Sequence, residues 1–578
     1  MLIMCSKRNN SKSYIPNEPK NFKQSINCEY LLQQGLTHHQ KGQLKEAQKI
    51  YKQILKNDPR NFEALQLNGT LNLQQKKYKT ALKFFNLALT INPRVPYVNY
   101  NLGNVLHNLE RFDDALQSYD RAIQLKPDYA EAFYNRGVVL EHLQRFDDAL
   151  QSIDRAIQLK PDYAEAFNNR GVVLEHLQRF DEALQSIDRA IQLKPDFAEA
   201  FNNRGNALIG LKRFDEALQS IDRAIQLKPD FAEAFSNLGI LLEYLHRFDD
   251  ALQSYDRAIQ LKPNYAEAYF NQSIIKLRLG KYEEGWRLYE YRQVKKDTKN
   301  NYKKFPIPLW LGNESIDNKV ILILNEQGLG DSIQFCRYLL MLASLNPKEI
   351  IFMVQKPLLS LFSNFNKKIK ILEQDKPLPH FDYYSPLMSL PLAFKTTLGT
   401  IPVNIPYLTV DDVKNKYWQD RFGKQTKAKI GLVWSGSTTH KKDRYRSLAL
   451  RQLVLLLELP FEFHSLQKEI RSDDKKILKT CKSLYQHQND LNDFSDTAAL
   501  LNQMDLIISI DTSVVHLAGA LDKQVWVLLP YIPDFRWLLN RDNSPWYPSI
   551  RLFRQPKFDD WESVIQQLII ELKKLYIK

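Results

Sequence analysis

Cysteine and glycine are both scarce in this chain: 578 residues hold four cysteines and 19 glycines. Cys5, Cys28, Cys336 and Cys481 stand far apart with no C-x-x-C pair. That spacing argues against a zinc site or a disulfide scaffold and fits a reducing compartment, the cytoplasm. With 44% hydrophobic and 25% charged residues, the composition is globular rather than disordered. Long hydrophobic runs are missing too. No stretch of ~18 apolar residues occurs, so no membrane-spanning helix is expected, although peripheral membrane contact stays open. The opening MLIMCSKRNNSKSYIPNEPKNFKQS lacks the apolar core of a signal peptide, and residues 1–27 read as a disordered leader. The formal charge of +14 suits a surface that attracts phosphorylated small molecules or acidic membranes. No nucleic-acid motif accompanies the charge, so nucleic acid is not expected as a partner.

What the chain has in abundance is repetition. Ala130 to Tyr163 and Ala164 to Phe197 differ at three positions, and Arg-Phe-Asp recurs at Arg111, Arg145, Arg179, Arg213 and Arg247. The period of 34 is the tetratricopeptide length. Each unit predicts two amphipathic helices separated by a turn near Arg-Phe-Asp, with Lys-Pro-Asp closing the second, since proline cannot continue a helix. One unit cannot bury its own apolar face, so about seven and a half copies over residues 28–295 should stack into an all-α superhelix. Asn101, Asn135, Asn169, Asn203, Asn237 and Asn271 occupy one position of successive units. Facing a concave groove, such amides would grip the backbone of a protein or peptide partner. This ladder resembles the one in O-GlcNAc transferases. The competing reading, left open here, is that each Asn caps or bridges adjacent helices.

Lys295 to Lys304 is polar and basic, and Pro306 and Pro308 follow, so residues 296–318 read as a linker. Beyond it, strands alternate with helices, the pattern of a parallel sheet covered on both faces. Expected strands are Val320–Leu324, Ile350–Val354 and Ile369–Leu372 in a first lobe (319–405). A second lobe (406–578) offers Lys429–Trp434, Phe461–Leu466, Leu506–Ile510, Val525–Leu529 and Ile550–Phe553.

Four motifs stand at strand ends. After Val320–Leu324, Gly328 and Gly330 allow a sharp turn and close backbone approach, and Asp331 opens a helix. A helix-start Asp is expected to have a lowered pKa; its bland role would be an N-cap. In the second lobe, Gly431-Leu432-Val433-Trp434-Ser435-Gly436 is followed by His440, Asp443, Arg444 and Arg446. A guanidinium fork matches phosphate oxygens. Gln467 and Lys468 end another strand, within reach of a ribose or base edge and a phosphate. The last motif is LIISIDTSVVHLAGAL, Leu506 to Leu521. There Asp511 ends a strand, Thr512 and Ser513 open a helix, and His516 lies on the same face. Helix N-termini present N–H groups and a positive dipole end to phosphate.

Taken together, Pro308-x-Trp310-x-Gly312, Glu326-Gln327-Gly328-Leu329-Gly330-Asp331-x-Ile333-Gln334-Phe335-x-Arg337-Tyr338 and the second-lobe motifs resemble bacterial tetratricopeptide-repeat glycosyltransferases of the heptosyltransferase-like group. The tail LLPYIPDFRWLLNRDNSPWYPSIRLFRQ fits the same resemblance, which runs from Pro308 to about Gln555. It departs at Ser437, where the W-S-G pattern continues with Asn. The resemblance implies a GT-B domain of two Rossmann-like lobes behind the repeats, with Asp331 as general base on the acceptor hydroxyl. The donor diphosphate and nucleotide would lie against Arg444, Arg446, Gln467, Lys468, Asp511, Thr512, Ser513, His516 and Gly519. It implies inverting transfer from a nucleotide-sugar co-substrate without a cofactor; no D-x-D triplet occurs, so a metal-bridged diphosphate is not indicated. Two other readings stay open: a protein-binding scaffold whose transferase-like domain is inactive, and a lipopolysaccharide-core heptosyltransferase.

Overall fold

A computed structural model describes residues 19–295, 305–423, 427–438 and 443–576. Residues 1–18 of the expected leader, 296–304 of the expected linker and His440 lie outside them. The remainder of the leader, residues 19–27, is already part of the helix Pro19–Gln40.

Sixteen helices, eight pairs among the described residues, run from Pro19 to Tyr289. The unit built from Ala164–His176 and Phe180–Leu193 shows why. Gln178 takes a left-handed φ of 61° after the first helix, and Arg179 N–H returns to the Leu174 carbonyl at 2.9 Å. This tight reversal is repeated at Glu110, Gln144 and Lys212. Ala183, Ile187 and Ala190 of the second helix are then buried against the first. Gly171 has no side chain because the partner helix needs the room: a Cβ there would sit 2.3 Å from Ile187 Cγ1. At the next turn, Lys194 Nζ lies 4.5 Å from the centre of the Phe197 ring, and the same cation–π contact recurs at Lys126–Tyr129, Lys160–Tyr163 and Lys228–Phe231. Arg170 Nε pairs with Asp154 at 2.6 Å across adjacent repeats, as do Arg136–Asp120 and Arg204–Asp188. Being part-exposed, these pairs set register more than stability.

The chain divides into two compact units, and the division falls at Leu241/Leu242, inside the repeats. The second unit therefore contains the helices Phe248–Leu261, Ala266–Arg278 and Tyr282–Tyr289 and the turn Glu290–Gln293, together with all ten strands.

Strands β1 (Val320–Leu324), β2 (Glu349–Val354), β3 (Ile369–Glu373) and β4 (Tyr383–Pro386) form one parallel sheet in the order β3-β2-β1-β4. Strands β5 (Lys429–Val433), β6 (Glu462–Ser465), β7 (Leu484–Gln486), β8 (Leu506–Ile510), β9 (Val525–Leu529) and β10 (Ile550–Arg554) form another, ordered β10-β9-β8-β5-β6-β7. The central strands β1, β2, β5, β8 and β9 are buried along nearly their whole length because both faces are covered, while the edge strands β3 and β7 carry exposed residues. Ile321 and Ile323 enter one core while Leu322 and Leu324 enter another. In the second sheet, Ile507, Val525 and Val527 join the first of these cores, and Leu506, Ile508 and Trp526 form a third. In both sheets the chain leaves its first strand in one direction and returns on the other side, between β1 and β4 and between β5 and β8. Ligand crevices form outside the carboxyl ends of strands at such reversals. All four motifs singled out above stand at or next to these ends.

The Pro308-Trp310-Gly312 motif is architectural. Trp310 N–H donates to the Tyr384 carbonyl at 2.8 Å, and its indole, 2% exposed, donates to the Glu314 carbonyl at 2.9 Å. Gly312 has φ 88°, and a Cβ on it would lie 2.2 Å from the Ala393 carbonyl oxygen. No described helix is long and apolar enough to cross a membrane.

Candidate functional site

The first wall of the site is the turn after β1. Gln327 is left-handed with φ 60°, which aims the next N–H groups at the helix Leu329–Phe335. Gly328 N–H donates to Asp331 Oδ2 at 2.7 Å, and Asp331 Oδ1 accepts from Arg536 Nη2. Arg536 lies in the turn Phe535–Trp537 after β9. Its Nε donates to Gln334 Oε1 at 2.6 Å, and its Nη1 donates to Asp534 Oδ1 at 2.7 Å. One guanidinium thus bridges carboxylates belonging to the two sheets. Burial raises the Asp331 pKa, with the Arg536 charge and the Gly328 N–H opposing it. This corrects the expected lowering: desolvation of a carboxylate that is only 16% exposed outweighs the helix start and the cation.

The second wall is the turn after β8. Thr512 occupies the N-cap position of the helix Ser513–Ala520, with no capping bond from its side chain. Burial, reinforced by Asp534, pushes Asp511 up to about 6 against the pull of Arg446 and Arg536. Arg446 Nη1 donates to the Asp511 carbonyl at 2.8 Å, and its buried Nε has no hydrogen-bond partner among the described residues. Gly436, past the end of β5, makes room for this guanidinium, since a Cβ would lie 2.8 Å from Arg446 Nη2. His516 is buried, with Nδ1 3.1 Å from the Tyr547 hydroxyl and its ring stacked on Trp537 at 5.7 Å. Burial, together with Arg536, Arg337 and Arg446, takes its pKa well below the ordinary value. The ring is thereby held toward its neutral form and packs as part of the wall.

The two walls touch. A Cβ on Gly330 would lie 2.9 Å from His516 Cδ2 and 3.3 Å from Ser513 Cα. Gly330→Val is therefore expected to cost about 1–3 kcal/mol by overpacking and to push the two helix starts apart. Denaturant melting together with ligand titration checks both effects.

The structure does not bring the remaining predicted residues into this contact. Gln467 is buried and its amide is fully used: Oε1 accepts from Trp434 and Ser435 N–H at 3.1 Å each, and Nε2 donates to Ser435 Oγ and the Glu469 carbonyl at 3.0 Å each. It shapes the turn after β5 and has no bond left for a ribose or base edge. Lys468 is exposed and donates to the Gln488 carbonyl at 3.3 Å, beyond β7. Arg444 is exposed and lies 4.6 Å from the centre of the Tyr445 ring. Gly519 serves packing: a Cβ would be 2.5 Å from the Tyr547 ring. Gly328 keeps its small size beside Asp331, whose Oδ2 would be 3.2 Å from a Cβ.

The asparagine ladder bridges repeats. Asn135 Nδ2 donates to Tyr100 and Asn104, Asn169 to Tyr134, Asn203 to Asn168 and Asn237 to Asn202, all at 2.8–3.0 Å. Each donor hydrogen-bonds a residue 31 or 35 positions earlier, so these four bridge adjacent repeats, Asn135 through two such bonds and the others through one. Asn101 and Asn271 occupy the same position, half-buried.

Sequence reasoning passed over Arg536, Asp534, Arg292 and Glu326. Arg536 stood in the Pro-Asp-Phe-Arg-Trp run of the tail, and Glu326 in the first motif, so the words were present without their partners.

Two tetratricopeptide repeat family profiles match the chain, one over residues 32–96, 100–164 and 143–196, the other over 198–231 and 232–265. Residues 32–265 are tetratricopeptide repeats. Protein FlbA of Caulobacter vibrioides is 24% identical over 318 residues, 50% of this chain and 52% of that protein. The chain thus spans about half the length of this curated relative. Among solved structures, a tetratricopeptide repeat protein from Parabacteroides merdae is 19% identical, covering 43% of this chain and 98% of its own, with a TM-score of 0.38. YrrB, described as a TPR protein with an unusual peptide-binding site, is 28% identical, covering 32% of this chain and 95% of its own, with a TM-score of 0.27.

Proposed function

We propose that the chain is a cytoplasmic glycosyltransferase whose two parallel sheets are the lobes of a GT-B domain. Its repeats would recruit a protein or peptide acceptor, and a nucleotide sugar would be the donor. The observation that carries this reading is the opposition of two helix starts at the strand-order reversals, with Asp331 on one and Asp511 to Ser513 on the other. In this reading the acceptor hydroxyl oxygen attacks the anomeric carbon and its proton passes to Asp331. The bond from that carbon to the diphosphate breaks, leaving the sugar inverted. The Ser513 helix start and Arg446 stabilise the departing charge. A diphosphate arriving there competes for Arg536 and releases Asp331 Oδ1 to act as base.

One observation favours a second reading, a protein-binding scaffold with a silent site: both carboxylate oxygens of Asp331 are already engaged. Calorimetric titration of the full chain with a panel of nucleotide sugars, ADP-heptose and UDP-GlcNAc included, separates the two. A transferase binds at least one donor with saturating heat. A silent scaffold binds none.

A further inference from the structure

The residues that end the last repeat do more than cap it. Arg292, in the turn Glu290–Gln293, extends a guanidinium that is 2% exposed onto Glu326, whose carboxylate is 6% exposed. The contact is a two-pronged fork: Nε to Oε2 at 3.0 Å and Nη2 to Oε1 at 2.8 Å. The same Nη2 donates to Ser389 Oγ at 2.8 Å, and Glu326 Oε1 also accepts the Met388 N–H at 2.7 Å. Ser389 in turn donates to Glu290 at 2.9 Å. Met388 and Ser389 lie in the turn Leu387–Ser389 that follows β4, and Glu326 lies two residues past the end of β1, so the fork ties together the two strand ends that flank the reversal. One residue further along, Gln327 Nε2 donates to the Tyr289 hydroxyl at 2.7 Å. Gln327 is the left-handed residue of the turn, the place where a non-glycine backbone most needs an external hold. Tyr289 also packs edge-on against Phe535 at 5.8 Å, beside the arginine that holds Asp331.

We infer that Tyr289 and Arg292 are positioning residues for the Glu326–Asp331 turn, so that the end of the repeat array is a built part of the candidate site. A buried charge pair contributes little net stability when compared with apolar packing. What a fork contributes is geometry, because its two parallel hydrogen bonds accept one orientation of the carboxylate. Within the turn the Gly328 N–H bond to Asp331 Oδ2 is local and leaves Glu326 and Gln327 unheld, ahead of glycines at 328 and 330 that add conformational freedom. The chemical half of this inference rests on the transferase reading; the structural half does not.

The test uses the full chain and two conservative variants that spare the core. Tyr289→Phe removes only the hydroxyl bonded to Gln327. Arg292→Lys keeps the charge and removes the fork. Hydrogen–deuterium exchange is followed in peptides covering residues 325–331, with β8–β9 and the helices 164–193 as internal references. Both variants are expected to exchange about tenfold faster in 325–331 and at the native rate in the references. With a donor that turns over, kcat falls in both variants while the KM for that donor is kept. Unchanged exchange in 325–331, or acceleration spread evenly over β8–β9, would overturn the inference whatever the activity. Faster exchange confined to the turn in a chain that binds no nucleotide sugar would sustain the positioning role and remove the transferase reading.

Discussion

Asp331→Asn is expected to lower nucleoside diphosphate release by about 10²–10⁴-fold, the range that a positioned general base supplies. Asn preserves the acceptor for the Gly328 N–H and the volume against Gly328, so donor binding should survive. The pH dependence separates this role from a purely structural one. Burial raises the Asp331 pKa, so the base is neutral and idle at low pH. Activity should rise with pH through a midpoint above the ordinary carboxylate value of about 3.9. Asp511, pushed up to about 6, titrates in a neighbouring window, and Asp511→Asn tells the two apart. A release rate that is unchanged in Asp331→Asn would sink the proposed base.

The largest stability effect is expected at Arg536. Arg536→Met removes the cation shared by Asp331 and Asp534 and leaves the poorly solvated Asp331 carboxylate without its counter-charge. The expected cost is about 3–5 kcal/mol, the usual penalty for orphaning a buried charge, read as a drop in the urea midpoint. The sign of its pH dependence follows from linkage. Arg536 lowers the Asp331 pKa in the native chain, so without it that pKa rises further. The folded variant then holds a proton that the folded native chain has released, and the penalty grows as pH climbs above the native Asp331 pKa, itself raised by burial. It should be greatest near neutrality and fade toward pH 4. Adding Asp331→Asn to Arg536→Met should recover part of the loss, because it removes the buried charge that Arg536 balanced. A variant as stable as the native chain at pH 7 would mean that water already solvates the Asp331 carboxylate.

Much of the fold was legible because each element carries a local signal. Val320–Leu324 is an unbroken apolar run and Leu506–Ile510 is broken only by Ser509, and they are β1 and β8. The repeats announce themselves by period, and the second-unit motifs by glycine and small residues after a strand. What escaped was weak locally or depended on distant partners. Strand β4, Tyr-Tyr-Ser-Pro, has no apolar run, and β7 is a three-residue edge strand with Tyr485 exposed. Asn169 could equally have faced a ligand; the Tyr134 hydroxyl that engages it lies one repeat back. Arg536 and Asp331 are 205 positions apart, and nothing in the Phe535–Trp537 turn names its partner. The boundary at Leu241/Leu242 is invisible for the opposite reason. Units on both sides of it read nearly alike, while the basic stretch at 295–304 has the composition of a linker.

The most direct test of the account is nucleoside diphosphate release from a nucleotide-sugar panel, measured side by side for the native chain and Asp331→Asn. Release by the native chain on at least one donor, with loss of about two orders of magnitude or more in the variant, is the result the account predicts. No release from any donor, or equal release by both chains, would contradict it.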